Sequence, residues 1–100
     1  MEINWITPTD ITALKGSKYL FKTSRTISKE GLNNSSAELL PENSIVITTR
    51  ATIGEMAINK IPVATNQGFK SIVPDDKMVN TEYLFYLLQT KKDQLKSFGN

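Results

Sequence analysis

Cysteine and histidine are both absent from this chain of 100 residues. Without a thiolate or an imidazole there can be no disulfide, no zinc site built on those ligands, and no Ser-His or Cys-His nucleophilic dyad. Glycine is sparse, and Gly54 and Gly68 stand alone, so neither a phosphate-binding loop nor a dinucleotide fingerprint is present. No apolar run approaches the roughly 20 residues that a membrane-spanning helix needs. The N-terminus lacks the apolar core of a secretory signal. These absences lead to the expectation of a soluble, cytoplasmic protein with no metal or cofactor of its own. The length allows at most one small domain.

Acidic residues are missing from one stretch. The formal net charge is only +2, yet Lys15, Lys18, Lys22, Arg25 and Lys29 follow one another with no Asp or Glu between them. Such a local excess suits a phosphate-facing patch. Taken alone, the run is more often a solvated face whose acids come from elsewhere in the fold.

The hydrophobic residues that are present fall into short runs. Ile3 to Ile11 reads as a short strand followed by a turn at Thr7-Pro8-Thr9-Asp10. Tyr19 to Thr26 is β-prone and basic, and Asn33-Asn34-Ser35-Ser36 is a polar loop. Ser36 to Leu40 suggests one helical turn, and Pro41-Glu42-Asn43 a chain reversal. Ser44-Ile45-Val46-Ile47-Thr48-Thr49 is the clearest strand, β-branched and apolar enough to be buried on both faces. Strands over 55–58, 61–65 and 69–73 follow, so that Ile45 to Val73 predicts an antiparallel meander. Asn80 or Thr81 caps a helix over about 81–98, with Glu82 in its first turn. Leu84, Leu87, Leu88, Leu95 and Phe98 form its apolar stripe, Lys91, Lys92 and Lys96 load its last turns, and Gly99 stands at the C-cap. The expected fold class is α+β: a single domain over 1–100, β-rich over 1–79, with a small antiparallel or mixed β-meander sheet and a C-terminal amphipathic helix packed on it.

Chemistry has few places to reside. Asp75-Asp76-Lys77 fits half of a magnesium nuclease site, with Asp10 or Glu55 as further acids, but a proline-led turn explains the same residues. The polar loops are better candidates, because their side chains donate to and accept from base edges. The candidate DNA-contacting residues are Lys15, Lys18, Lys22, Thr23, Arg25, Lys29, Asn33, Asn34, Ser35, Arg50, Thr52, Asn66, Gln67 and Lys70. Each has an ordinary alternative: Asn66-Gln67-Gly68 can simply turn the chain, and Arg50 can pair with Glu55. Trp5, Phe21 and Phe69 are expected in the core, with stacking on bases as the competing role.

Several strings occur in a distinctive order: Trp5 to Ile11, Ile27 to Leu32, Ser35 to Pro41, Thr49-Arg50-Ala51-Thr52-Ile53-Gly54 through Ile58, Ala64-Thr65-Asn66-Gln67-Gly68-Phe69-Lys70, and Tyr83 to Leu88. In order and spacing, over nearly the whole chain, they resemble the target recognition domain of type I restriction enzyme specificity subunits. The resemblance implies a non-catalytic subunit whose two recognition domains each read half of a split DNA target. It implies methyltransferase and restriction subunits as partners. Those subunits would bind S-adenosylmethionine, ATP and magnesium, methylate adenine and cleave DNA. It further implies that the family has residues before the tryptophan segment and a spacer helix after Asn100, so that the chain corresponds to most of one recognition domain. The shared strings Arg50 to Gly54 and Asn66 to Phe69 would then be framework, with the target read more by Lys15 to Arg25 and by Asn33-Asn34. A fragment acting only in protein association, including as a homodimer, is the alternative.

Overall fold

A computed structural model describes residues 2–15, 17–49, 54–66, 68–75 and 80–91. The β-branched run of β5 (Ser44–Thr48) is buried throughout and forms the centre of the molecule. Its neighbours are β6 (Met56–Asn59) and β8 (Phe69–Ile72), both antiparallel to it. A two-residue strand, β2 (Tyr19–Leu20), adds parallel to β6, giving one sheet in the order β2-β6-β5-β8. A second sheet has the order β3-β1-β7-β4, from β1 (Glu2–Trp5), β3 (Arg25–Ser28), β4 (Glu38–Leu40) and β7 (Val63–Thr65). Here β1 pairs antiparallel with β3 and parallel with β7, and β7 pairs antiparallel with β4.

The α+β class and the mixed sheet pairing agree with the sequence reading, as does the helix packed on a sheet. The meander does not hold as drawn. β7 leaves the run and joins the other sheet, so β5, β6 and β8 pair without it. Alternation along β5 explains the two-sided burial. Ile45 and Ile47, with Met56 and Ile58, face Phe85 on α3 (Thr81–Gln89). Val46, with Ala57, faces the second sheet, where Ile6, Leu40 and Val63 close a separate core.

Local readings also shift. The segment read as a turn at Pro8 is a short helix, α1 (Pro8–Thr12), with proline in its first turn and Asp10 as the capping carboxylate. Asp10 Oδ2 accepts from the Thr7 backbone N–H at 2.8 Å, and Oδ1 accepts from the Ser24 N–H at 3.0 Å. One buried acid thus ties the start of α1 to the chain leading into β3. The residues after Ile27 form α2 (Lys29–Asn33) rather than leading directly into a loop. Ser36 to Leu40 gives the strand β4, because Leu40 reaches the core only when extended beside β7. Asn80 caps α3, accepting from the Tyr83 N–H at 2.9 Å. The expected helix is cut short: α3 ends at Gln89 with Thr90 as its C-cap and Lys91 in a turn, and the rest, including Lys92, Leu95, Lys96, Phe98 and Gly99, lies outside the described residues.

Candidate nucleic-acid interface

The register of the second sheet fixes one end of the molecule. Trp5 pairs with Arg25 on one side and Ala64 on the other, while Glu38 pairs with Thr65. Ser24–Arg25, Thr65–Asn66 and Ala37–Glu38 therefore share that end. The Asn66–Gly68 loop also meets the end of β5, since Gly68 accepts a hydrogen bond from the Thr49 N–H at 3.0 Å. The β5–β6 turn closes at the same place, with the Gly54 N–H donating to Thr48 at 2.9 Å and Gly54 at φ 88°. Four connections that are distant in sequence thus meet at one rim.

Several of the candidate residues come together there. Thr23 Oγ1 donates to the Arg25 carbonyl at 2.7 Å and to Asn4 Oδ1 at 3.2 Å, which orients the entry to β3. The Arg25 guanidinium lies 5.9 Å from the centre of the Trp5 ring. Cross-strand partners share a sheet face, so Arg25, Trp5, Ala64 and Leu39 form one row on the face turned away from the first sheet. Trp5 Nε1 is buried in that row without a hydrogen-bond acceptor among the described residues. Asn66 Oδ1 accepts from the Gly68 N–H at 2.8 Å, the turn-forming role anticipated for it. Asn66 and Lys70 also line a groove of about 380 Å³ with Ser36, Glu38, Thr65 and Phe69.

Other candidates lie elsewhere. Lys29 opens α2 at the far end of β3 from Arg25. Asn33 and Asn34 are exposed at the close of α2, where Asn34 is the C-cap. Ser35 Oγ donates to the Leu32 carbonyl and accepts from the Ala37 N–H, both at 3.2 Å, turning the chain toward β4. Gly31 lets α2 lie on β3, because a Cβ there would sit 2.9 Å from Ile27 Cγ1. Lys15 is exposed just after α1. Lys18 is engaged within the fold: its ammonium donates to Tyr86 Oη on α3 and stands 5.0 Å from the Tyr19 ring centre. The hydrogen bond to Tyr86 raises the Lys18 pKa above its ordinary value, against the opposing effect of burial. Lys22 is exposed on a second groove, of about 510 Å³, between α1 and the segment from Tyr19 to Ser24. Arg50, Thr52 and Gln67 lie outside the described residues, which leaves the proposed Arg50–Glu55 pair undescribed.

The aromatic expectation divides three ways. Phe69 is core, and Trp5 is partly covered on the sheet face. Phe21 is 66% exposed, which overturns its assignment to the core. Leu20 closes β2 with its side chain in the core, and Phe21 follows just beyond the strand with its ring in solvent. Sequence reasoning singled out the polar loop Asn33-Asn34-Ser35-Ser36, whose Ser36 lines the groove, but missed Glu38 and Thr65. No local pattern marks them; only the β4–β7 pairing brings them beside Asn66.

The nuclease reading gains no support from Asp10, whose two oxygens both accept bonds within the fold. Asp76 and Lys77 lie outside the described residues. Among the described residues no three His, Cys, Asp or Glu cluster so as to hold a metal ion. No helix among them is long and apolar enough to cross a membrane.

The family model for the type I restriction modification DNA specificity domain matches residues 1–100. The chain belongs to that family. Among relatives, the type I restriction enzyme MjaIX specificity subunit of Methanocaldococcus jannaschii is 41% identical over 90 residues, which is 90% of this chain and 20% of that protein. The HindI specificity subunit of Haemophilus influenzae is 32% identical over 71 residues, 71% of this chain and 15% of its own length. The crystal structure of the HsdS subunit from Thermoanaerobacter tengcongensis superposes with a TM-score of 0.61 at 15% identity, covering 94% of this chain and 25% of that one. At that identity the match shows a shared fold. The specificity domain described here thus spans a quarter or less of the proteins it resembles.

Proposed function

We propose that this specificity domain binds duplex DNA in a sequence-specific manner as part of a type I specificity subunit, and that it directs adenine methylation and DNA cleavage carried out by partner subunits. One observation carries the reading: the rim brings Arg25 together with an amide-bearing groove that holds Asn66 and Lys70, from segments far apart in sequence. Arg25 and Lys22 offer charge to phosphates, whereas Asn66, Ser36 and Glu38 offer donors and acceptors to base edges. A carboxylate such as Glu38 accepts from the amino group of cytosine, so its place beside Lys70 is compatible with a mixed reading surface. The domain is non-catalytic in this reading. S-adenosylmethionine, ATP and magnesium belong to the methyltransferase and restriction subunits, and the complex works in the cytoplasm. The 100 residues serve as most of one recognition domain.

The test is selection from a pool of duplexes with a randomised core, followed by affinity measurements across salt concentrations. Enrichment of a defined half-site, with binding that weakens steeply with salt, is the expected result. Arg25→Ala should weaken binding to all sequences alike and flatten the salt dependence by about one phosphate contact. Asn66→Ala should relax preference at one base pair by about 1–3 kcal/mol. No enrichment at any salt would refute the proposal.

A second reading, in which the chain acts only in protein association, is favoured by one feature. Tyr83 and Leu87 are exposed and lie one helical turn apart on α3. Light scattering over a concentration series tests it, and a strict monomer at high concentration would remove it.

A further inference from the structure

We infer that Phe21 is a base-stacking residue, inserted against or between base pairs while Lys22 holds the adjoining phosphate. The inference rests on the proposed DNA binding and adds a contact that the charge pattern does not supply. Phe21 is 66% exposed and directly follows Leu20, the last residue of β2 and only 1% exposed, so the ring leaves the sheet into solvent from an anchored backbone. The Tyr19 ring, on β2, lies 6.1 Å away at a 54° tilt and gives Phe21 an aromatic neighbour. The groove below is lined by Ala13, Leu14 and Leu20, an apolar floor suited to a ring or a base rather than to ions.

The surroundings favour a phosphate-bearing occupant over an apolar protein partner. Lys22 lines the groove and Lys15 follows Leu14 of its wall. The one carboxylate in the lining, Asp10, has both oxygens bonded inside the fold. Lys22 and Arg25 are three residues apart, at most about 11 Å of extended backbone, close enough to serve neighbouring phosphates of one strand. An exposed aromatic ring flanked by cations, over an apolar floor, combines stacking with backbone neutralisation.

The experiment uses the 100-residue chain and the duplex enriched from the randomised pool. Phe21→Ala should weaken binding roughly ten- to hundredfold while leaving the salt slope unchanged, because the ring carries no charge. Its urea midpoint should match that of the parent chain, since a mostly exposed ring holds little of the core together. Phe21→Trp should retain binding, and its added indole signal, taken as the difference from the parent chain that already carries Trp5, should be quenched by DNA and become protected from acrylamide. If the parent chain enriches and binds a duplex but Phe21→Ala binds equally well, the stacking role falls and the DNA-binding proposal stands. Weakened binding by Phe21→Ala with an unquenched indole in Phe21→Trp would also overturn stacking. Protection of the indole by rising protein concentration without DNA would assign the groove to a second copy. Failure of the parent chain to bind any duplex would refute both proposals together.

Discussion

The two sheets differ in how much of them is covered. The first sheet is enclosed, with α3 on one face and the second sheet on the other, so β5 and β6 are buried at every residue. The second sheet is covered on one face by the first. Its other face carries Arg25, Trp5 and Leu39, with α2 reaching it at Ile27. Burial gives the first sheet its stabilising role, because each apolar side chain there removes contact with water on both sides. Exposure leaves the outer face of the second sheet and its rim open to solvent, which is where the proposed DNA contacts of Arg25 and Asn66 lie. The buried centre is β5 and β6, whereas the residues proposed for recognition lie on the open face and rim of the second sheet and at the edges of the first, at Phe21 beyond β2 and Lys70 on β8.

The contrast can be broken by substitution. Ile58→Ala removes a fully buried side chain between β6 and α3 and should cost about 3–4 kcal/mol, read as a lowered urea midpoint. That is a large share of the roughly 5–15 kcal/mol typical of a folded domain. Asp10→Ala leaves the Thr7 and Ser24 backbone donors without their acceptor and should cost about 2 kcal/mol. It should also loosen the Tyr19–Ser24 segment, seen as faster amide exchange there. Asn80→Ala deletes the cap of α3 and should cost about 1 kcal/mol by thermal or urea unfolding. Leu39→Ala, at a residue 52% exposed on the open face, should change stability by less than about 0.5 kcal/mol. If Leu39→Ala proved as costly as Ile58→Ala, the open face would have to be a packed one, and the contrast between buried centre and open face would fail.

The sequence shows its strands more clearly than their partners. Ser44 to Thr48 announces itself through β-branched residues, and Phe69 to Ile72 through alternation, because both signals are local. Asn80 likewise marks the start of α3 by its capping chemistry. Alternation does not say which strand lies alongside, and so β7 was expected beside its sequence neighbours when it pairs with β1 and β4. Among the candidate contacts, the cation run was legible, but its division was not. Lys18 turns to Tyr86, Lys29 stands at the far end of β3, and Lys22 and Arg25 keep to the groove and the rim.

By itself the sequence determined the absence of thiol and imidazole chemistry, the β-rich body with its closing helix, and a family resemblance carried by strings in fixed order. Only the tertiary structure decided that the described strands divide between two sheets, that Glu38 and Asn66 line one groove, and that Phe21 faces outward while Leu20 does not. The physical reason is the range of the forces involved. Propensity and capping act within a few residues, whereas sheet partnership and exposure depend on which distant apolar surfaces can be buried together.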